Sequence, residues 1–130
     1  MPLSDESRKI IFEKLRKNLE SCCPPMVLKS SSDKGCEVIG NKAVPYGYKK
    51  EIIPGMFFAA AVPRDGMVSF YFFPCYTSPG TFNKIAPVLF KTLKGKTCFN
   101  LKKEEQVIDK ELSALLKEGI LAWKKAGYMK

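Results

Sequence analysis

Gly95-Lys96-Thr97, the thiols of Cys75 and Cys98, and the run Tyr46-Gly47-Tyr48-Lys49-Lys50 are residues whose types suggest chemistry. Gly-Lys-Thr closes phosphate-binding loops, in which backbone N–H groups and a lysine cradle the phosphates. Such a loop needs a second glycine five residues earlier, where Phe90 stands. It must also lead from strand into helix, the reverse of the order read below, so nucleotide hydrolysis by this route is excluded. A reactive thiolate needs a base, a helix N-terminus or nearby cations to lower its pKa. The chain has no histidine, which removes Cys–His dyads, His-dependent triads and most zinc sites. Lys96 is near Cys98 in sequence, but there is no Cys-x-x-Cys. Both thiols read best as small buried hydrophobes. The hard-ligand candidates Asp5, Glu6, Glu13 and Glu20 are interleaved with Lys9, Lys14, Arg16 and Lys17, and Glu104-Glu105 follow Lys102-Lys103. No dense acidic cluster of the kind that holds calcium, magnesium or iron is formed, so neither a metal nor a cofactor is expected.

What is unusual is where the positive charge lies. The net charge is +9, and from Gly66 to Lys103 there is no Asp or Glu. Lys84, Lys91, Lys94, Lys96, Lys102 and Lys103 carry six of the nine net charges in that stretch. A clustered basic segment points to an anionic partner: a small molecule, a nucleic acid or an acidic protein surface. The plainer reading is a solvated lysine face that aids solubility. Aromatic strands among lysines are a feature of RNA-binding sheets, but Gly66-Met67-Val68-Ser69-Phe70-Tyr71-Phe72 lacks the basic residue and aromatic order of that motif. Phe70 and Phe72 therefore read as core. Tyr71 needs a partner for its hydroxyl or water. The Tyr46 and Tyr48 loop is a second place for function.

The elements that position these residues follow from periodicity. Ser4 is an N-cap, with Asp5 and Glu6 favourable in the first turn. Ile11, Phe12, Leu15, Leu19 and Cys22 recur at helical spacing, and Pro24-Pro25 stops the helix. Met26-Val27-Leu28 is a short strand, Ser30 to Gly35 a loop, Cys36 to Gly40 a second strand, and Asn41 to Glu51 mostly irregular. Met56 to Val62 and Met67 to Phe73 form a hairpin about Pro63-Arg64-Asp65-Gly66. Val68, Phe70 and Phe72 share one face of its second strand, and Met67, Ser69, Tyr71 and Phe73 the other. Both faces are fairly apolar, which predicts a central strand covered on both sides. A short helix over Ile85 to Thr92, a strand over Thr97 to Leu101 and a helix from Asp109 complete the chain. The last helix carries an apolar stripe of Ile108, Leu112, Leu115, Leu116, Gly119, Ile120 and Trp123, and Gly127 is its C′ residue. Gly119 in that stripe predicts close approach to a neighbour. The absence of a βαβ rhythm predicts an α+β domain over 1–130, an antiparallel sheet with N- and C-terminal helices. No apolar run approaches the ~20 residues of a membrane helix. The polar start and the odd cysteine count predict a cytoplasmic protein with free thiols.

The run FFAAAVPRDGMVSFYFFPCY, a short helix, LKGKTCFNLKK and a final helix ending WKKAGY resemble the YdhG-like family of small bacterial proteins. The likeness covers roughly residues 50 to 128 and is one of layout rather than of a catalytic motif. It implies a frataxin-like arrangement, an antiparallel sheet flanked by terminal helices. Some members are described as intracellular iron chaperones, a role resting on an acidic ridge that this basic chain does not carry. The sequence thus predicts a non-enzymatic binding protein whose anionic ligand or partner meets Lys94, Lys96, Lys102 and Lys103, with Tyr71, Tyr46 and Tyr48 as further contacts. An iron chaperone, or an enzyme drawing Lys96, Tyr71 and Cys98 into one pocket, are the alternatives.

Overall fold

The Asp65-Gly66 turn sets the register of the sheet. In the computed structural model, which describes residues 4–23, 26–46, 51–77, 82, 84–94 and 98–129, Gly66 has φ 73°, a value that favours glycine. Only these two residues separate Arg64 from Met67, which pair directly. Strand β5 (Phe57–Arg64) and strand β6 (Met67–Phe72) therefore run through Pro63 and Arg64, beyond the four-residue turn expected there. From this hairpin the sheet grows both ways. Strands β1 (Val27–Ser32) and β2 (Gly35–Ile39) add on the β5 side. Strand β8 (Cys98–Leu101) and a two-residue edge strand β7 (Leu93–Lys94) add on the β6 side. The order is β1-β2-β5-β6-β8-β7, antiparallel at every junction. Strands β3 (Val44–Tyr46) and β4 (Glu51–Ile53) form a separate two-stranded ribbon.

Two long helices supply the second layer. Helix α1 (Asp5–Glu20) begins where the Ser4 hydroxyl accepts the Ser7 backbone N–H at 3.2 Å, and it buries Ile11, Phe12, Leu15 and Leu19. Helix α4 (Asp109–Ala126) buries Leu112, Leu115, Leu116, Gly119 and Trp123, and ends at Gly127 with φ 87°. Between them lie the one-turn helices α2 (Pro74–Thr77) and α3 (Pro87–Phe90), the latter with proline in its first turn as expected.

Cross-strand partners point to the same side of a sheet. The pairs Cys36–Ala61, Ala61–Phe70, Phe70–Phe99 and Phe99–Leu93 thus form one inward row. Helices α1, α3 and α4 all pack on this inner side. Arg16 of α1 reaches Ser31 there at 2.8 Å, Phe90 of α3 meets Phe99 edge-on, and Gly119 of α4 lies over Phe58 and Phe72. Phe58 joins the inner side because β5 bulges: Val38 pairs with Ala59 but Ile39 with Phe57, leaving Phe58 as the extra residue. Its ring then stands edge-on to Phe72 at 5.6 Å and to Trp123 at 5.7 Å. The terminal helices flank the sheet, as expected, but from one side. Strand β6 is central, but Tyr71 on its other face keeps part of its surface exposed, and Phe73 lies just past the strand's end with its ring edge-on to Trp123 of α4.

The short helix α2 and the edge strand β7 were not expected from the sequence, and two further stretches differ from that reading. Ser30 to Ser32 is strand rather than loop, because pairing with Cys36 and Glu37 satisfies its backbone and shortens the turn to Asp33-Lys34. Asn41 to Glu51 contains most of a ribbon, held by Val44–Ile53 and Pro45–Ile52 pairs.

The crossing at Gly119 makes a quantitative prediction. A Cβ there would lie 2.7 Å from Phe72 Cζ and 2.9 Å from Phe58 Cε1, and both rings are fully buried. Gly119→Val is expected to lower unfolding free energy in urea by about 3 kcal/mol through overpacking. The change Ser113→Val, on an exposed position of the same helix, should cost less than about 1 kcal/mol. Equal losses would contradict the crossing.

Candidate functional site

The face of the sheet away from the helices gathers the polar and basic side chains. Glu37 pairs with Ala60, Ala60 with Tyr71, Tyr71 with Cys98 and Cys98 with Lys94. These five residues form one row across five strands. Val62 and Ser69 make the next row, beside Asn100. Arg64 belongs to the same face, four residues on from Ala60, and its Nη2 donates to the Tyr71 hydroxyl oxygen at 3.0 Å. That bond answers the demand of the phenol for a partner and draws a guanidinium over the middle of the face. The carbonyl of Arg64 accepts from Arg8 Nη1 at 2.9 Å, which ties the hairpin tip to α1.

Of the residues named from the sequence, Tyr71 and Lys94 are brought onto one face, two strand spacings or roughly 10 Å apart. Lys102 and Lys103 follow β8 at its other end, roughly 14 Å along the strand from the Lys94 position. Their backbone N–H groups both donate to Gln106 Oε1, at 2.8 and 3.0 Å, which fixes the turn into Glu104–Gln106. The lysines thus bracket β8 rather than converge. Lys96 and Tyr48 lie outside the described residues, as do Gly95 and Thr97. Tyr46 is placed in β3 by its backbone pairing with Glu51. Arg64 and Asn100 were missed. Counting alternate residues back from the Asp-Gly turn puts Arg64 on the Tyr71 face, so the signal for it existed.

Electrostatics divide the molecule. The ion pairs among the described residues join Arg8 to Asp5; Arg16 to Glu13, Glu20 and Asp33; and Lys29 to Glu37. All lie on α1 and the β1–β2 hairpin. Of the acids toward the other edge, Glu104 accepts from the Ser7 hydroxyl at 3.0 Å, and Glu111 accepts the Leu89 N–H at 3.2 Å in the first turn of α3. Lys84, Lys91, Lys94, Lys102 and Lys103 are exposed and form no ion pair within the described residues.

No three His, Cys, Asp or Glu side chains gather among the described residues, and Asp5, Glu13 and Glu20 of α1 each face a guanidinium. All five cysteines are free. Burial pushes the Cys75 thiol up to about 12. Burial, reinforced by Cys23, does the same for Cys22. Cys98 is partly exposed on the open face, and its Sγ donates to Asn100 Oδ1 at 3.5 Å. It neighbours Tyr71 across the strands.

Thiol labelling separates these environments. Iodoacetamide near neutral pH, read by mass spectrometry, is expected to modify Cys98 first. Cys22 and Cys75 should stay unmodified until denaturant is added, since only a thiolate at the surface reacts. Because both raised values lie well above neutrality, raising the pH by one unit should not expose them. Early labelling of Cys75 would contradict its position.

No family model matches the chain, and no curated protein or solved structure matches it at a significant level.

Proposed function

We propose that this chain is a non-enzymatic cytoplasmic binding protein of the YdhG-like kind, and that its ligand or partner is anionic and meets the β8–β7 edge of the sheet. The observation that carries this reading is the separation of charge. Every acid–base pair among the described residues lies on the α1 and β1–β2 side, while Lys84, Lys91, Lys94, Lys102 and Lys103 of the acid-free stretch are exposed and form no ion pair among those residues. Unpaired surface ammonium groups concentrate counter-ions and accelerate encounter with an anion. Tyr71, held by Arg64, and the Cys98–Asn100 pair add polar groups beside Lys94 on the open face. Because the lysines bracket β8, the ligand is extended rather than compact: a polyanion, or an acidic protein surface, spans Lys94 to Lys103 where a single phosphate does not. None of the described helices is long and apolar enough to cross a membrane.

Binding to heparin and to DNA, measured by fluorescence anisotropy across a salt series, tests this. Affinity is expected to fall steeply with ionic strength as counter-ions are released. The double variant Lys94→Glu/Lys103→Glu should weaken it by about 10-fold or more. Lys9→Glu/Lys14→Glu on α1 changes net charge equally and should leave affinity within about 3-fold. Indifference to both polyanions at low salt, or equal losses in the two variants, would overturn the reading.

A further inference from the structure

The opposite end of the open face holds a cleft that the lysine edge does not explain. Its volume is about 390 Å³, and its walls include Ile39, Ile53, Phe57 and Phe73, with Lys29 and Glu37 beside them. It lies between the main sheet and the β3–β4 ribbon, for Ile39 pairs with Phe57 in the one and Ile53 belongs to the other. A tight crossing lies beside the cleft: a Cβ on Gly55 would collide with the Gly40 carbonyl oxygen, and the Gly40 N–H donates to the Met56 carbonyl at 2.9 Å. The Phe57 and Phe73 rings stand 6.0 Å apart and form an aromatic wall. Against these apolar surfaces stands one cation and one anion, Lys29 Nζ and Glu37 Oε2, 3.4 Å apart.

We propose that this cleft binds a free apolar α-amino acid as its zwitterion. The volume is at the lower end of small-molecule sites, which run from ~300 to ~1,000 Å³, so it admits a ligand of amino-acid size. A zwitterion carries an ammonium and a carboxylate on one carbon, at a spacing close to that of the Lys29–Glu37 pair. Its carboxylate meets Lys29, its ammonium meets Glu37, and its side chain enters between Ile53 and the two phenylalanines. The side chains of Lys29 and Glu37 are 58% and 34% exposed. Their mutual attraction is therefore weak and easily exchanged for a ligand that satisfies both. A ligand with only one charge replaces only one of the two contacts that the pair gives up, whereas a zwitterion replaces both.

Ligand-observed NMR and calorimetry on the full chain, with leucine, isoleucine and phenylalanine as probes, test the proposal. Saturable binding is expected, weakened by at least about 10-fold both by N-acetylation and by methyl esterification of the same amino acid. Lys29→Gln and Glu37→Gln should each produce a comparable loss, with thermal melting as the control for folding. No saturable binding at millimolar concentration overturns the proposal. Equal binding of the blocked forms overturns it too, since the cleft is then merely apolar. Sensitivity to one block alone likewise removes the zwitterion. Lys29 and Glu37 lie on β1–β2, away from the β8–β7 edge, so failure here leaves the polyanion reading standing, and the reverse also holds.

Discussion

The crossing of α4 over β5 and β6 at Gly119 governs the rest of the molecule. Without a side chain at that position, the helix settles onto the Phe58 and Phe72 rings, with Trp123 edge-on to Phe58. The contact places α4 on the same side as α1. The two helices therefore share a single apolar surface, and the other face is left to polar and half-buried side chains. A bulkier residue at 119 would lift the helix from the aromatic layer. The β5 bulge is the complementary device: by turning Phe58 inward beside Ala59, it supplies the ring on which Gly119 rests.

This one-sided packing turns strand alternation into two unlike faces of the sheet. On β6, Phe70 and Phe72 are fully buried beneath the helices, while Tyr71 between them faces away. The same alternation puts Cys98 outward and Phe99 inward on β8. Charge sorts across the molecule as well: acids and bases pair on α1 and the β1–β2 hairpin, with Lys29–Glu37 on the outward face, while Lys94 and Lys102 at the β8–β7 side form no ion pair among the described residues. The sheet presents two environments at its two edges, a self-paired ion pair beside an apolar cleft and, around β8, separated lysines that form no ion pair among the described residues.

Much of this was legible in the sequence where the signal was local. The Ser4 cap, the Ile11 to Leu19 stripe, the Asp109 start and the Gly127 stop each depend on residues within a turn or two, and all are observed. The Asp65-Gly66 turn was equally clear, although its extent was overdrawn because Pro63 and Arg64 were read as turn when they continue β5. Elements held mainly by distant partners were not legible. Serines 30 to 32 have little strand preference and become strand by pairing with β2. Strand β7 has two residues and exists only through its pairing with β8. The candidate site shows the same division. Tyr71 and the basic stretch were evident, but the neighbourhood of Tyr71 and Lys94 needs the register of three strands, and Arg64 reaches Tyr71 from across the hairpin. The Lys29–Glu37 cleft depends on the meeting of two sheets, a relation that no local pattern encodes.

The central claim is that the face opposite the helices, along its β8–β7 edge, is where an anion is held. Amide chemical-shift mapping with a short heparin oligosaccharide addresses it most directly. The account predicts shifts concentrated on Leu93, Lys94, Cys98 to Lys103 and Tyr71, with α1 unmoved. Shifts centred on Lys9, Lys14 and Lys17 of α1, or spread evenly over all exposed lysines, would contradict it.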